Sequence, residues 1–166
     1  MKKIFSYTFY LLVITFTFYG CSAASMTPLS NDTTLNKVVE VENMSKEEIF
    51  LNSMEWFSTT FNESKSVIDY QDKEAGKIIG NGAISHVYAT IVSGQVKFSV
   101  KIEIKENRAR ISLTNFSAKI IGSSGPPVDR AIMQSEYEKA IPKLESLMND
   151  YSAYIKNASS SNSDNW

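Results

Sequence analysis

A chain of 166 residues with 43% hydrophobic content is long enough for one globular domain plus terminal segments. Formal net charge is −1, and loss of Lys2 and Lys3 with a leader would take it to −3, so charge balance offers no overall attraction to nucleic acid. The single cysteine, Cys21, excludes an intramolecular disulfide and any metal cluster built on several thiolates.

Met1-Lys2-Lys3 is a basic start, and residues 4–19 form an apolar run rich in Phe, Leu, Ile and Val that ends at Gly20-Cys21. A charged start, a short apolar core and a small residue before the cut describe a secretory signal peptide over residues 1–20. The run is short for a membrane span, which needs about 20 apolar residues. Phe18-Tyr19-Gly20-Cys21 resembles the lipobox of bacterial lipoproteins, with Phe18 and Tyr19 in place of the usual Leu and small residue. That resemblance implies lipidation of Cys21 and a membrane anchor. The alternatives are an ordinary signal peptide cut nearby or a retained anchor, in which Cys21 carries no acyl chain. No Asp follows Cys21, which leans toward the outer membrane, facing the periplasm.

Residues 22–36 are dominated by Ser, Thr, Asn and Asp, the composition of a flexible linker. Asp32-Thr33-Thr34 resembles an O-glycosylation acceptor, against the plainer reading of linker sequence. Residues 37–42 alternate as a short strand. Ser45 with Glu48 predicts a capping box, and Met44 with Ile49 a hydrophobic staple, at the start of a helix. Phe50, Met54, Phe57 and Phe61, flanked by Ile49 and Trp56, then make a wide apolar face that reads as core rather than as a ligand pocket.

Residues 66–70 predict a second strand, residues 71–76 a polar turn, and residues 77–92 a third strand with a bulge or bend at Gly80-Asn81-Gly82. Ser93-Gly94 predicts the turn into the clearest signal in the chain. Val96, Phe98, Val100, Ile102 and Ile104 alternate with Lys97, Ser99, Lys101 and Glu103. After residues 105–107, Ala109, Ile111 and Leu113 alternate with Arg108, Arg110, Ser112 and Thr114. Period 2 on both sides of a tight polar turn is an antiparallel hairpin with one dry and one wet face. Ile120 and Ile121 end that strand, and residues 122–127, rich in Gly, Ser and Pro, stop it. Tyr137, Ile141, Leu144, Met148, Tyr151 and Ile155 have helical spacing, with Pro142 predicting a kink or break near residues 140–141. Residues 157–166 read as a disordered polar tail.

The order β-α-β-β-β-β-α predicts an α+β fold: two layers, a mainly antiparallel five-stranded sheet with two helices on one face, over residues 37–156. The helices would cover the aliphatic side of the hairpin. Glu48-Ile49-Phe50 with Trp56, then Val67-Ile68, Asp72 and Gly76-Lys77-Ile78-Ile79-Gly80-Asn81-Gly82, then Arg108-Ala109-Arg110, resemble an uncharacterised bacterial lipoprotein family, a domain of unknown function with a TBP-like fold. The resemblance covers about residues 37–155 and implies the fold. It brings no activity, substrate or catalytic residue with it, and the fold name does not imply DNA binding.

Chemistry-bearing residues are sparse. His86 is the single histidine, and neither a zinc set nor a Ser-His-Asp arrangement has a signature around it. Asp69, Asp72 and Glu74 cluster on a turn without calcium-loop spacing. Gly80-Asn81-Gly82 lacks the third Gly, the Lys-Ser/Thr pair and the following helix of a phosphate loop. No catalytic residue, metal site or cofactor is expected. Lys97, Lys101, Arg108 and Arg110 are left as the candidate partner-binding face, against the reading of a plain solvated sheet surface. The sequence therefore points to an exported, lipid-anchored envelope protein that is not an enzyme. It would bind an unknown protein or glycan partner through its open sheet face, and not nucleic acid. The alternatives are a structural subunit of an envelope complex and, less favoured, a hydrolase-type enzyme using His86, Asp72 and Glu74.

Overall fold

Alternating sequence becomes paired strand wherever both neighbours can bury the same face. The computed structural model describes residues 27–61, 68–89, 92–121 and 125–161. The predicted leader, Cys21 and the last five residues lie outside these. In chain order the elements are β1 (Leu35–Glu40), α1 (Lys46–Thr60), β2 (Ile68–Asp72), β3 (Lys77–Ala89), β4 (Val92–Lys105), β5 (Arg108–Ile121), β6 (Val128–Ala131) and α2 (Gln134–Ser161). All pairings are antiparallel, in the order β1-β5-β4-β3-β2, with β6 beside the far half of β5. Among the described residues no helix is long and apolar enough to cross a membrane.

The two-layer α+β expectation holds, with six strands rather than five. Val96, Phe98, Val100, Ile102 and Ile104 are buried under the helices with Ala109, Ile111 and Leu113 from the neighbouring strand. The hairpin turns over Glu106 and Asn107, with Asn107 at φ 61, a left-handed value that Asn tolerates. Asn107 also accepts from the backbone N–H of Val41 at 2.9 Å and donates to Met44 O at 3.1 Å, tying the hairpin tip to the start of α1.

The capping box at α1 is complete. Glu48 N donates to Ser45 Oγ at 3.3 Å, and Ser45 N donates back to Glu48 Oε2 at 2.9 Å. The buried face of α1 runs through Ile49, Phe50, Ser53, Trp56 and Phe57, with Met54 at its edge. The Phe57 and Phe61 rings meet at a tilt with centroids 5.0 Å apart, Phe61 reaches Phe98 at 6.4 Å, and Trp56 meets Tyr151 of α2 at 4.9 Å. Gly82 on β3 makes room for this aromatic layer: a Cβ there would lie 2.7 Å from both Phe61 and Phe98 rings.

Four local expectations are corrected. First, α2 passes through Pro142 without a break and continues to Ser161. Ala140 and Leu144 are fully buried on either side of the proline, and Tyr151 and Ile155 are buried beyond it. Packing on both flanks outweighs one lost helical hydrogen bond. The helical residues up to Ser161 and a bond from Ser159 Oγ to Glu42 O at 3.1 Å bring part of the expected tail into the fold.

Second, the expected linker joins the fold before residue 37. Leu29 N donates to Ile132 O and Gln134 N donates to Thr27 O, both at 2.9 Å, and Pro28 bridges Met133. Third, Ser93 and Gly94 are not a turn. They pair with Val87 and His86, so β3 and β4 run longer than their Gly residues suggest. Fourth, Gly80-Asn81-Gly82 carries no bulge. The register of β3 on β4 is unbroken from Lys77 to Val87, and the irregularity is on β2, between Ile68 and Tyr70. β2 also takes in Gln71 and Asp72, which the sequence assigns to the turn, while residues 66 and 67 of the expected strand lie outside the described residues.

Candidate functional site

Both helices lie on one side of the sheet, so among the described residues the opposite side is bare. Strand register decides which residues meet there. One row reads Asp72, Lys77, Glu103, Arg110 and Val38 across β2, β3, β4, β5 and β1. The next reads Tyr70, Ile79, Lys101, Ser112 and Asn36. Tyr70 is 47% exposed and Val38 53%.

Three of the four predicted basic residues are partnered by acids. Lys101 Nζ sits 2.8 Å from Glu103 Oε1. Arg110 donates to Glu103 Oε2 from Nε at 3.0 Å and from Nη2 at 2.6 Å. The hydrogen bond from Lys101, with Arg110 adding to it, holds the Glu103 carboxyl below the usual carboxylate range against the opposing effect of burial. Lys97 reaches Asp129 of β6 at 3.4 Å. Arg108 stands exposed at the hairpin end, opposite Glu40, with no ion pair among the described residues. The face is therefore a charge network centred on Glu103, with surplus positive charge toward Arg108.

That surplus lies in a cleft of about 400 Å³, open on one side, lined by Val38, Lys77, Glu103, Lys105, Arg108 and Arg110 beside the backbone of residues 75 and 76. The β2–β3 turn forms one wall. Asp72 Oδ1 caps it by accepting from Ala75 N at 2.8 Å, and Ile104 N donates to Gly76 O at 2.7 Å. Gly76 has φ +65, and a Cβ there would meet Ile104 O at 2.5 Å, so only glycine lets the turn lie this close to β4. Lys105 continues the alternation of Lys101 and Glu103 along β4 and pairs with Arg108, whereas Lys77 joins the site only through the packing of this turn.

The enzyme candidates do not converge. His86 lies on the helix-covered face of β3, buried, opposite Gly94. Burial lowers its pKa, with Glu136 acting the other way and Lys143 and Lys139 adding to the depression. Asp72 pairs with Lys77, nine residues along β3 from His86, roughly 30 Å of extended strand. Asp72 is itself occupied by Ala75 N and by the Tyr70 hydroxyl, which donates at 3.1 Å. The bond from Ala75 is the main reason its pKa is lowered. Asp69 accepts from Asn81 Nδ2. Among the described residues no group of three His, Cys, Asp or Glu side chains is placed to hold a metal ion.

The family model described as a domain of unknown function (DUF4468) with TBP-like fold matches residues 36–119. Among solved structures, the chain is similar to a TBP-like protein from Parabacteroides distasonis ATCC 8503. The TM-score is 0.64 at 16% identity, over 79% of this chain and 97% of that one. It is also similar to a DUF4468 family protein from Bacteroides ovatus ATCC 8483, with a TM-score of 0.50 at 14% identity, over 82% and 91%. At such identities the likeness concerns the fold alone. No curated protein matches the chain.

Proposed function

We propose, for a chain that belongs to the DUF4468 family of TBP-like domains, that it works without catalysis as an interaction domain docking a protein or glycan through its bare sheet face. The observation carrying this reading is the one-sided cover: both helices pack on one face, and the other keeps a charge network with exposed Val38 and Tyr70. The lipobox-like sequence ending at Cys21 supports export and a lipid anchor in the cell envelope, at the outer membrane facing the periplasm. Two measurements test the reading. Crosslinked capture from the native envelope should yield a specific partner that disappears with Cys21→Ala. Arg108→Glu with Arg110→Glu should lose that partner while the anchor is kept. Capture unchanged by the double reversal would remove the basic residues from the docking role.

A second reading, a structural subunit that self-associates, has one specific support. β2 pairs with β3 only as far as Gly80, so among the described residues no strand covers the outer edge of β3 beyond that point. Unpaired strand edges invite pairing with another chain. A monomeric size for the soluble domain, residues 26–166, across a wide concentration range would set this reading aside.

A further inference from the structure

We propose that the cleft between the β2–β3 turn and the β4–β5 hairpin is a binding site for an oxyanion, a phosphate or carboxylate group carried on a compact polar molecule. This deepens the docking role of the same face and rests on it. Four cations line the cleft, Lys77, Lys105, Arg108 and Arg110, against one acid, Glu103. That acid is already held by Lys101 and Arg110. Glu40 stands opposite Arg108 and Asp72 opposite Lys77, and Arg108 also borders a second cleft with Glu40, Glu42 and Glu106, so the excess of cations is confined to the first cleft. Lys77, Lys105 and Arg108 have no ion pair among the described residues. Concentrated like charge without counter-charge costs stability, and a bound anion relieves that cost.

Geometry adds selectivity to the charge. Arg110 uses Nε and Nη2 on Glu103, which fixes the guanidinium plane and leaves its remaining N–H donors for a ligand. A guanidinium already fixed in orientation loses little freedom when it binds a planar or tetrahedral oxyanion. The wall that brings Lys77 into place is rigid, because the Asp72 cap braces the turn internally and Gly76 O accepts from Ile104 N of β4. Val38 offers apolar contact to the carrier of the anion. A volume of about 400 Å³ suits a sugar phosphate or sugar acid, or a single lipid headgroup, better than an extended polymer.

The test uses the full chain in zwitterionic micelles, with inorganic phosphate and then glucuronate as probes, read by NMR of the arginine Nε–H signals. Arg108 and Arg110 should shift saturably. Lys77→Gln with Arg108→Gln should weaken binding about tenfold or more, as loss of charge-assisted bonds does. Lys119→Gln, at the far end of the same sheet, should leave it unchanged. These surface changes are checked for folding by circular dichroism. Absence of saturation, or equal weakening by Lys119→Gln, overturns the proposal.

Flotation on phosphatidylcholine vesicles with and without phosphatidylglycerol separates the ligand's source. Phosphatidylglycerol-dependent binding lost in the Lys77→Gln, Arg108→Gln protein upholds the site and assigns it to a headgroup. Phosphate binding without such flotation upholds it for a soluble ligand. Envelope capture is scored in parallel. Capture intact with no phosphate binding overturns the cleft alone, whereas phosphate binding with no capture upholds the cleft and sinks the docking role.

Discussion

Replacing Ser53 by Ala should cost more stability than replacing Tyr151 by Phe, although each removes one hydroxyl from the same pair. Both residues are fully buried, and their hydroxyl oxygens are 2.9 Å apart between α1 and α2. Ser53 Oγ also donates to Ile49 O at 2.7 Å, so its proton is spent within its own helix and Tyr151 is left as the donor. Burial raises the Tyr151 pKa far above its ordinary value, which keeps that proton in place at any working pH. Tyr151→Phe leaves Ser53 still bonded to Ile49 and should lose about 1 kcal/mol, the net worth of one hydrogen bond. Ser53→Ala strands a buried phenol O–H and should lose about 2 kcal/mol, because desolvation is then uncompensated. The double variant has no stranded donor, so its loss should fall about 1 kcal/mol short of the sum. Urea unfolding at 25 °C, followed through the fluorescence of Trp56 against Tyr151, gives all four corners of the cycle. Additive losses, or a larger loss for Tyr151→Phe, would refute the donor assignment.

Three further outcomes are expected. His86 is the single histidine of the chain, and its proton NMR midpoint should lie below about 6.5. Since the folded value is the lower one, stability should be full above that pH and decline as pH falls through the folded midpoint; a midpoint above 6.5 would contradict its burial. Gly76→Ala forces a side chain onto φ +65 and against Ile104 O, so it should destabilise by roughly 2 kcal/mol or more in the same urea assay, where a neutral result would count against the rigid turn. Pro142→Ala restores a helical N–H inside α2 and should raise stability by about 1 kcal/mol or more, whereas a loss would mean the proline ring itself packs favourably.

Legibility in the sequence followed side-chain burial. β4 and β5 announce themselves because one face is buried and the other wet, and the capping box at Ser45 is a purely local device. β6 was invisible. Val128, Asp129, Arg130 and Ala131 show no apolar alternation, and only backbone pairing to residues 117–120 of β5 makes them a strand. Gly94 reads as a turn but lies buried opposite His86 inside a longer ladder. The candidate face was half legible. Lys97, Lys101, Arg108 and Arg110 share a face by simple parity, but which acids hold them depends on cross-strand register. Register also depends on the extra residue of β5 near Asn115, at φ 53, which shifts Ser117 opposite Lys97. Lys77 entered the site because a turn more than twenty residues upstream packs beside Glu103, which no local pattern encodes.

The contacts of residues 27–29 with residues 132–134 also have a mechanical meaning. Five residues separate Cys21 from Thr27, so even fully drawn out that stretch spans only about 20 Å. A pull applied at Cys21 would reach the fold first at the bonds from Leu29 to Ile132 and from Gln134 to Thr27, where β6 gives way to α2. Load would be taken by the seam between sheet edge and long helix, leaving β1 slack and the bare face unstrained under tension.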